Sequence, residues 1–110
     1  MRTPLTILVI GRHKQIMETV LRLLNGQEGW RAIGALTDRE AKIRFTETKF
    51  DLVLIGGGVE EKSEQLLRLE FEKTNPQIKM IRHYGGGSGL LFTEIQEAMK
   101  PNGRNREVFK

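Results

Sequence analysis

The chain of 110 residues contains no cysteine. Disulfide bridges, thiolate metal sites and a cysteine nucleophile are therefore excluded. Histidine occurs only at His13 and His83, too few for a metal centre unless several carboxylates join them. Aspartate is as scarce, with Asp38 and Asp51 the only two. No apolar run approaches the roughly 20 residues that a membrane-spanning helix needs. The apolar stretch in "MRTPLTILVIG" is short for a secretory leader, and no cleavage-like pattern follows it. The expectation is a cytoplasmic protein without membrane contact. There are also no internal repeats.

A hydrophobic share of 38% and a charged share of 29% are ordinary for one soluble globular domain. The net charge of +4 raises nucleic acid as a partner, but its distribution argues against one. Residues 100–110 hold Lys100, Arg104, Arg106 and Lys110 against Glu107 alone. Residues 1–99 then carry 14 basic and 13 acidic groups, so the body is nearly neutral. A protein that tracks a nucleic-acid backbone carries its basic stripe on the folded body. The expected organisation is a domain over residues 1–100 and a basic, flexible tail over 101–110, set off by Pro101-Asn102-Gly103.

Short apolar runs of β character alternate with helical periodicity, the pattern of a parallel sheet covered by helices. Leu5–Ile10 is nearly continuous in apolar residues, as a strand buried on both faces should be. From Lys14 to Leu24, Ile16, Met17, Val20, Leu21 and Leu24 fall into one helical stripe, with Glu18 and Arg22 as a supporting pair. Asn25-Gly26 stops it. "RAIGAL" reads as a second strand, and Thr37 or Asp38 caps a helix in which Ala41, Phe45 and Thr48 share a face. "FDLVLI" is a third strand. "EEKSEQLLRLEFEKT" reads as a helix ended by Asn75-Pro76, supported by Glu64 and Arg68. "IKMIRHY" is a fourth strand, and Leu91 to Met99 a last helix presenting Leu91, Ile95, Ala98 and Met99 inward. The result is a three-layer, flavodoxin-like doubly wound parallel sheet of four strands in the order 2-1-3-4. A fifth strand enters only if "GSGLLF" keeps a vestigial one, and its absence is expected.

Over about residues 5–99 the chain resembles a response-regulator receiver domain. "ILVIGRHKQIMETVLRLL" is similar to that family's first strand and helix. "AIGALTDREAKIRFTETKFDLVLI" is similar to its second strand, second helix and third strand, and "NPQIKMI" to the approach to its fourth strand. The resemblance implies a site at the carboxyl ends of the strands. There an acidic pair holds Mg²⁺, an aspartate accepts the phosphoryl group, and a hydroxyl residue and a lysine read it. Carboxylate oxygens suit a hard cation, and phosphoryl charge must be compensated as it transfers. Matched position by position, the acidic pair falls on Gly11 and Arg12, the phosphoacceptor on Gly56 and the hydroxyl residue on Tyr84. No lysine lies between Lys79 and Lys100. The domain is therefore expected to be receiver-like, atypical, truncated and non-phosphorylated: a signalling or protein-interaction module, not an enzyme. No metal or cofactor is expected.

Two further expectations concern surfaces. The clusters Gly56-Gly57-Gly58 and Gly85-Gly86-Gly87-Ser88-Gly89 follow the third and fourth strands, at the edge where open α/β sheets bind ligands. Arg12, His13, Gly57, Gly58, Gly85 and Gly86 could hold an anion or a nucleotide, which is the alternative function. The competing reading makes the glycines plain turns, because neither cluster completes G-x-x-x-x-G-K-[ST] or G-x-G-x-x-G. Lys79, Arg82 and Tyr84 mark the fourth strand as a polar sheet edge. A protein partner, or a homodimer through strand four or the last helix, follows from that edge.

Overall fold

The computed structural model describes residues 4–84 and 88–100. Gly85 and Gly86, and the tail expected over 101–110, lie outside them. The elements run β1 (Leu5–Ile10), α1 (Lys14–Asn25), β2 (Trp30–Ala35), α2 (Asp38–Glu47), β3 (Leu52–Ile55), α3 (Glu61–Thr74), β4 (Lys79–Arg82) and α4 (Ser88–Ala98). The four strands form one parallel sheet in the order β2-β1-β3-β4. The central strands are the most apolar ones, because a parallel strand covered on both faces has no solvent side. Leu52 to Ile55 are all buried, and so are Ile7 to Ile10.

Alternate residues of the strands feed two separate cores. Leu8, Ile10, Val53 and Ile55 point to one face, where α2 and α3 bring Ala41, Phe45, Leu67 and Phe71. Phe45 stacks on Phe71 at 4.0 Å between centroids and on Phe50 at 6.1 Å. Ile7, Val9, Leu52 and Leu54 point to the other face, covered by Met17 and Leu24 of α1 and by Leu91 and Ile95 of α4. Ala98 and Met99 pack more loosely there. Trp30, at the start of β2, meets Phe92 of α4 edge-on at 6.1 Å.

Local devices fix the connections. Asn25, at the end of α1, holds β2 by donating to the Ala32 carbonyl (3.2 Å) and accepting from its amide (2.8 Å). Gly29 turns the chain with φ of 85°, a left-handed conformation that favours glycine, and its carbonyl receives the Leu5 amide at 2.8 Å. Gly34 lets α1 lie directly on β2, since a Cβ there would stand 2.6 Å from the Met17 Sδ and 3.0 Å from a Leu21 methyl. Asp51 accepts the Thr6 amide at 2.9 Å at the amino end of the sheet, remote from the strand tips.

Several expectations change. Residues 88–98 are helical, so α4 starts three residues earlier than the apolar pattern indicated and "GSGLLF" adds no strand to the described sheet. β4 ends at Arg82, leaving His83 and Tyr84 beyond it. Thr37, not Asp38, caps α2, its hydroxyl accepting the Glu40 amide at 3.0 Å. Ile16 leaves the α1 stripe: it lies in the first turn and is 61% exposed. Glu18 and Arg22 form no salt bridge with one another, whereas Glu64 and Arg68 do, at 2.9 Å.

Candidate functional site

The strand tips carry the densest polar network of the described residues. β1 is prolonged by Gly11, whose amide donates to the Ala35 carbonyl at 3.0 Å. Arg12 then turns across the sheet edge toward the starts of α2 and α3. Its Nη2 donates to Asp38 Oδ1 (2.6 Å) and to Glu60 Oε1 (3.2 Å), and Nε also donates to Glu60 (3.3 Å). Nη1 donates to the Gly11 and Leu36 carbonyls, each at 3.3 Å. All five N–H groups of the guanidinium thus meet an acceptor inside the chain.

The electrostatics follow the geometry. Burial by itself lowers the Arg12 pKa, but the hydrogen bonds and charges of Asp38 and Glu60 outweigh it, so the guanidinium is held above its ordinary range. For Asp38, burial pushes the carboxyl up. The Ser63 side chain, Arg12 and Lys42 together more than reverse that, and the carboxyl ends below its usual range. Glu60 is lowered by its own backbone amide first and by Arg12 second. The cluster is one cation shared between two carboxylates, without spare positive charge for a bound anion.

Gly56 follows the last residue of β3. Its amide donates to the Ile10 carbonyl at 2.8 Å, and the Val59 amide returns to the Gly56 carbonyl at 3.2 Å. Gly57 and Gly58 are therefore the two central residues of a β-turn, and buried Val59 anchors it in the α2–α3 core. Among the described glycines only Gly29 has positive φ. Gly56–Gly58 thus form a turn built without a left-handed glycine.

The other expected residues divide. Arg82 is mostly buried: it pairs with Glu64 and donates through Nη2 to the Gly57 (3.1 Å) and Val59 (2.6 Å) carbonyls. It fastens β4 to the glycine turn. Burial pushes the Glu64 carboxyl up, and Arg68 and Arg82 bring it below its ordinary range. Tyr84 is 81% exposed, with the Arg82 guanidinium 5.5 Å from its ring centroid. Lys79 is half-buried at the start of β4. His13 precedes α1 and lies against Gly58, where an added Cβ would meet its ring at 3.4 Å. His83 Nδ1 lies 2.6 Å from Glu94 Oε1, tying the end of β4 to α4. Sequence reasoning missed the partnerships of Arg12, Arg82 and His83, since each joins residues on different elements.

Beside this network, on the α1 face, a cavity of about 310 Å³ opens at the strand tips. Val9, Met17, Val20 and Leu54 line it together with Gly11 and Gly56–Gly58, and Arg12, His13, Ile16, His83 and Tyr84 complete the lining.

Strand order and element order make this a receiver-like, flavodoxin-type α/β fold. No protein-family model matches the chain, and no curated protein does either. Solved structures do. The receiver domain of the hybrid histidine kinase CckA superposes with a TM-score of 0.65 at 15% identity, covering 86% of this chain and 99% of that one. The chemotaxis protein CheY4 of Vibrio cholerae gives 0.60 at 13% identity, with 86% and 98% covered. A pilus assembly protein (CpaE) of Burkholderia thailandensis gives 0.59 at 17%, with 86% and 79% covered. At such identities the likeness defines the fold alone.

Proposed function

We propose that this chain is a non-phosphorylated receiver-like module that acts by docking a protein partner and not by catalysis. One observation carries the reading. Where a receiver gathers carboxylates around Mg²⁺, this chain places the guanidinium of Arg12, already bonded to Asp38 and Glu60. A built-in cation leaves no vacant coordination for a divalent ion beside it. Gly56 at the tip of β3 offers no carboxylate to accept a phosphoryl group. The strand tips are thus tied in one arrangement, which suits a constitutive surface better than a switch.

The fold neighbours named for pilus assembly, from Burkholderia pseudomallei and Burkholderia thailandensis, support a role in a protein assembly as readily as in phosphorelay signalling. A partner, a second copy included, would dock on the β4–α4 side, where Tyr84 and Leu90 are exposed. Strand pairing along β4 would meet one outward backbone group that is already occupied. The His83 amide donates to Ile55, so the Met80 carbonyl points to the open side, and Arg68 already donates to it at 3.3 Å. The nucleotide-binding alternative loses support because Arg12 is spent on internal partners.

Incubation with acetyl phosphate and Mg²⁺ followed by intact-mass measurement tests the reading. An unmodified chain is expected, and a phosphoryl adduct overturns it. Light scattering over a concentration series separates a homodimer from a module that needs a different partner.

A further inference from the structure

The cavity at the strand tips has a position, a lining and a charge state that together specify a ligand class. In the order β2-β1-β3-β4 the chain leaves β1 toward β2 on one side and builds β3 and β4 on the other. The tips of β1 and β3 are therefore the topological switch point, where open α/β sheets form a crevice. The cavity lies there, between Ile10–His13 and Gly56–Gly58. Its volume of about 310 Å³ reaches the range of small-molecule sites, roughly 300–1,000 Å³. Among the described residues none of α4 lines it.

The lining decides what fits. Val9, Met17, Val20 and Leu54 make much of the lining apolar, and the Gly56–Gly58 turn presents backbone without side chains to it. The nearest cation, Arg12, is neutralised by Asp38 and Glu60 and has every N–H engaged. A phosphate or carboxylate group would thus lose hydration without gaining a free donor cation. Besides Arg12, the polar side chains of the lining are His13, His83, whose Nδ1 is turned to Glu94, and Tyr84. These can bond one polar edge of a neutral molecule.

The geometry points to a binding site for a small, neutral, flat apolar molecule, an aromatic or heteroaromatic ring system, stacked over the Gly56–Gly58 turn. Bound there, it would touch α1, β1 and β3 at once.

The test uses the full chain and the uncharged fluorescent probe N-phenyl-naphthylamine, with inorganic phosphate and ADP as anionic comparators. Saturable fluorescence enhancement is expected, together with nitrogen–proton NMR shifts at Gly11, Gly56, Gly57 and Gly58. Val20→Phe fills the pocket from its wall and should weaken the probe by about tenfold or more, equivalent to about 1.4 kcal/mol. Ile16→Glu changes an exposed residue at the mouth, leaves the melting temperature in place and should weaken the probe several-fold. Phosphate and ADP should leave the glycine amides unmoved. The inference is overturned if the probe shows no saturable binding, or if it binds equally well to both folded variants. It is also overturned if phosphate or ADP shifts the Gly56–Gly58 amides and displaces the probe.

Discussion

The two faces of the sheet are built differently. On the α2–α3 face, Phe45, Phe50 and Phe71 stack into a continuous aromatic layer. That layer is sealed at the strand tips by two charged clasps, Arg12 with Asp38 and Glu60, and Arg82 with Glu64. On the α1–α4 face the buried residues are aliphatic or Met17, and the one aromatic contact, Trp30 with Phe92, lies at the periphery. There the tips of β1 and β3 border a cavity, and the end of β4 is tied to α4 through His83 and Glu94. Aromatic packing and ion pairs therefore fix one side, while the other keeps space at the edge where parallel sheets hold ligands. Division of labour between faces explains how a chain of this size can be both tightly held and open to a guest.

Mutation can break the contrast. Phe71→Ala removes the most deeply buried ring of the aromatic layer and should cost about 3–5 kcal/mol in urea unfolding. An equal loss from Val20→Ala would erase the distinction between the faces. Arg12→Ala strands the partly buried Asp38 and should cost about 1.5–3 kcal/mol, the scale of hydrogen bonds to charged groups. Gly34→Val drives new methyls into Met17 and Leu21 on the open face and should cost about 1–3 kcal/mol. Repacking of Met17, which is flexible, would put it at the low end.

Acid sharpens the same contrast. Asp38, Glu60 and Glu64 sit below their ordinary values of 3.8, 4.5 and 4.5 in the folded chain. Depressed carboxylate pKa values give stability that is present above those ordinary values and lost as pH falls through the lower, folded ones. Thermal melts should therefore hold steady down to the ordinary carboxylate range and decline below it. The decline should be smaller in Arg12→Ala, which has already lost part of the linkage; identical declines would place the acid-sensitive groups elsewhere. The smallest effect belongs to Ile16→Ser at the cavity mouth, within about 0.5 kcal/mol of wild type.

Much of the architecture was legible in the residues. Continuous apolar runs at Leu5–Ile10 and Leu52–Ile55 could only be doubly covered strands, and with intervening helices they dictate the sheet order. Ile16 misled because periodicity reports which residues share a face, not how far the sheet extends beneath it. Ser88 and Gly89 read as loop residues, yet α4 begins there. Of the site, Arg12 was visible as a candidate cation, but its occupation was not. Asp38 and Glu60 lie 26 and 48 positions along the chain, and only the crossover topology brings them to the same edge. Of the cavity, the sequence pointed to Arg12, His13, Gly57 and Gly58 at its edge, but not to its apolar lining, since that is a space between elements and not a residue pattern.

The Arg12 clasp has one more consequence, for how the molecule opens. Loops at strand tips ordinarily fluctuate one at a time, each exposing its own amides. Here one side chain joins the loop after β1, the entry to α2 and the entry to α3. Releasing any of them removes a partner from the others, so their openings are coupled. Hydrogen exchange at Gly11, at Leu36 (bonded to Glu40) and at Glu64 (bonded to the Glu60 carbonyl) should then converge on a common rate. In the Arg12→Ala chain the three rates should spread apart.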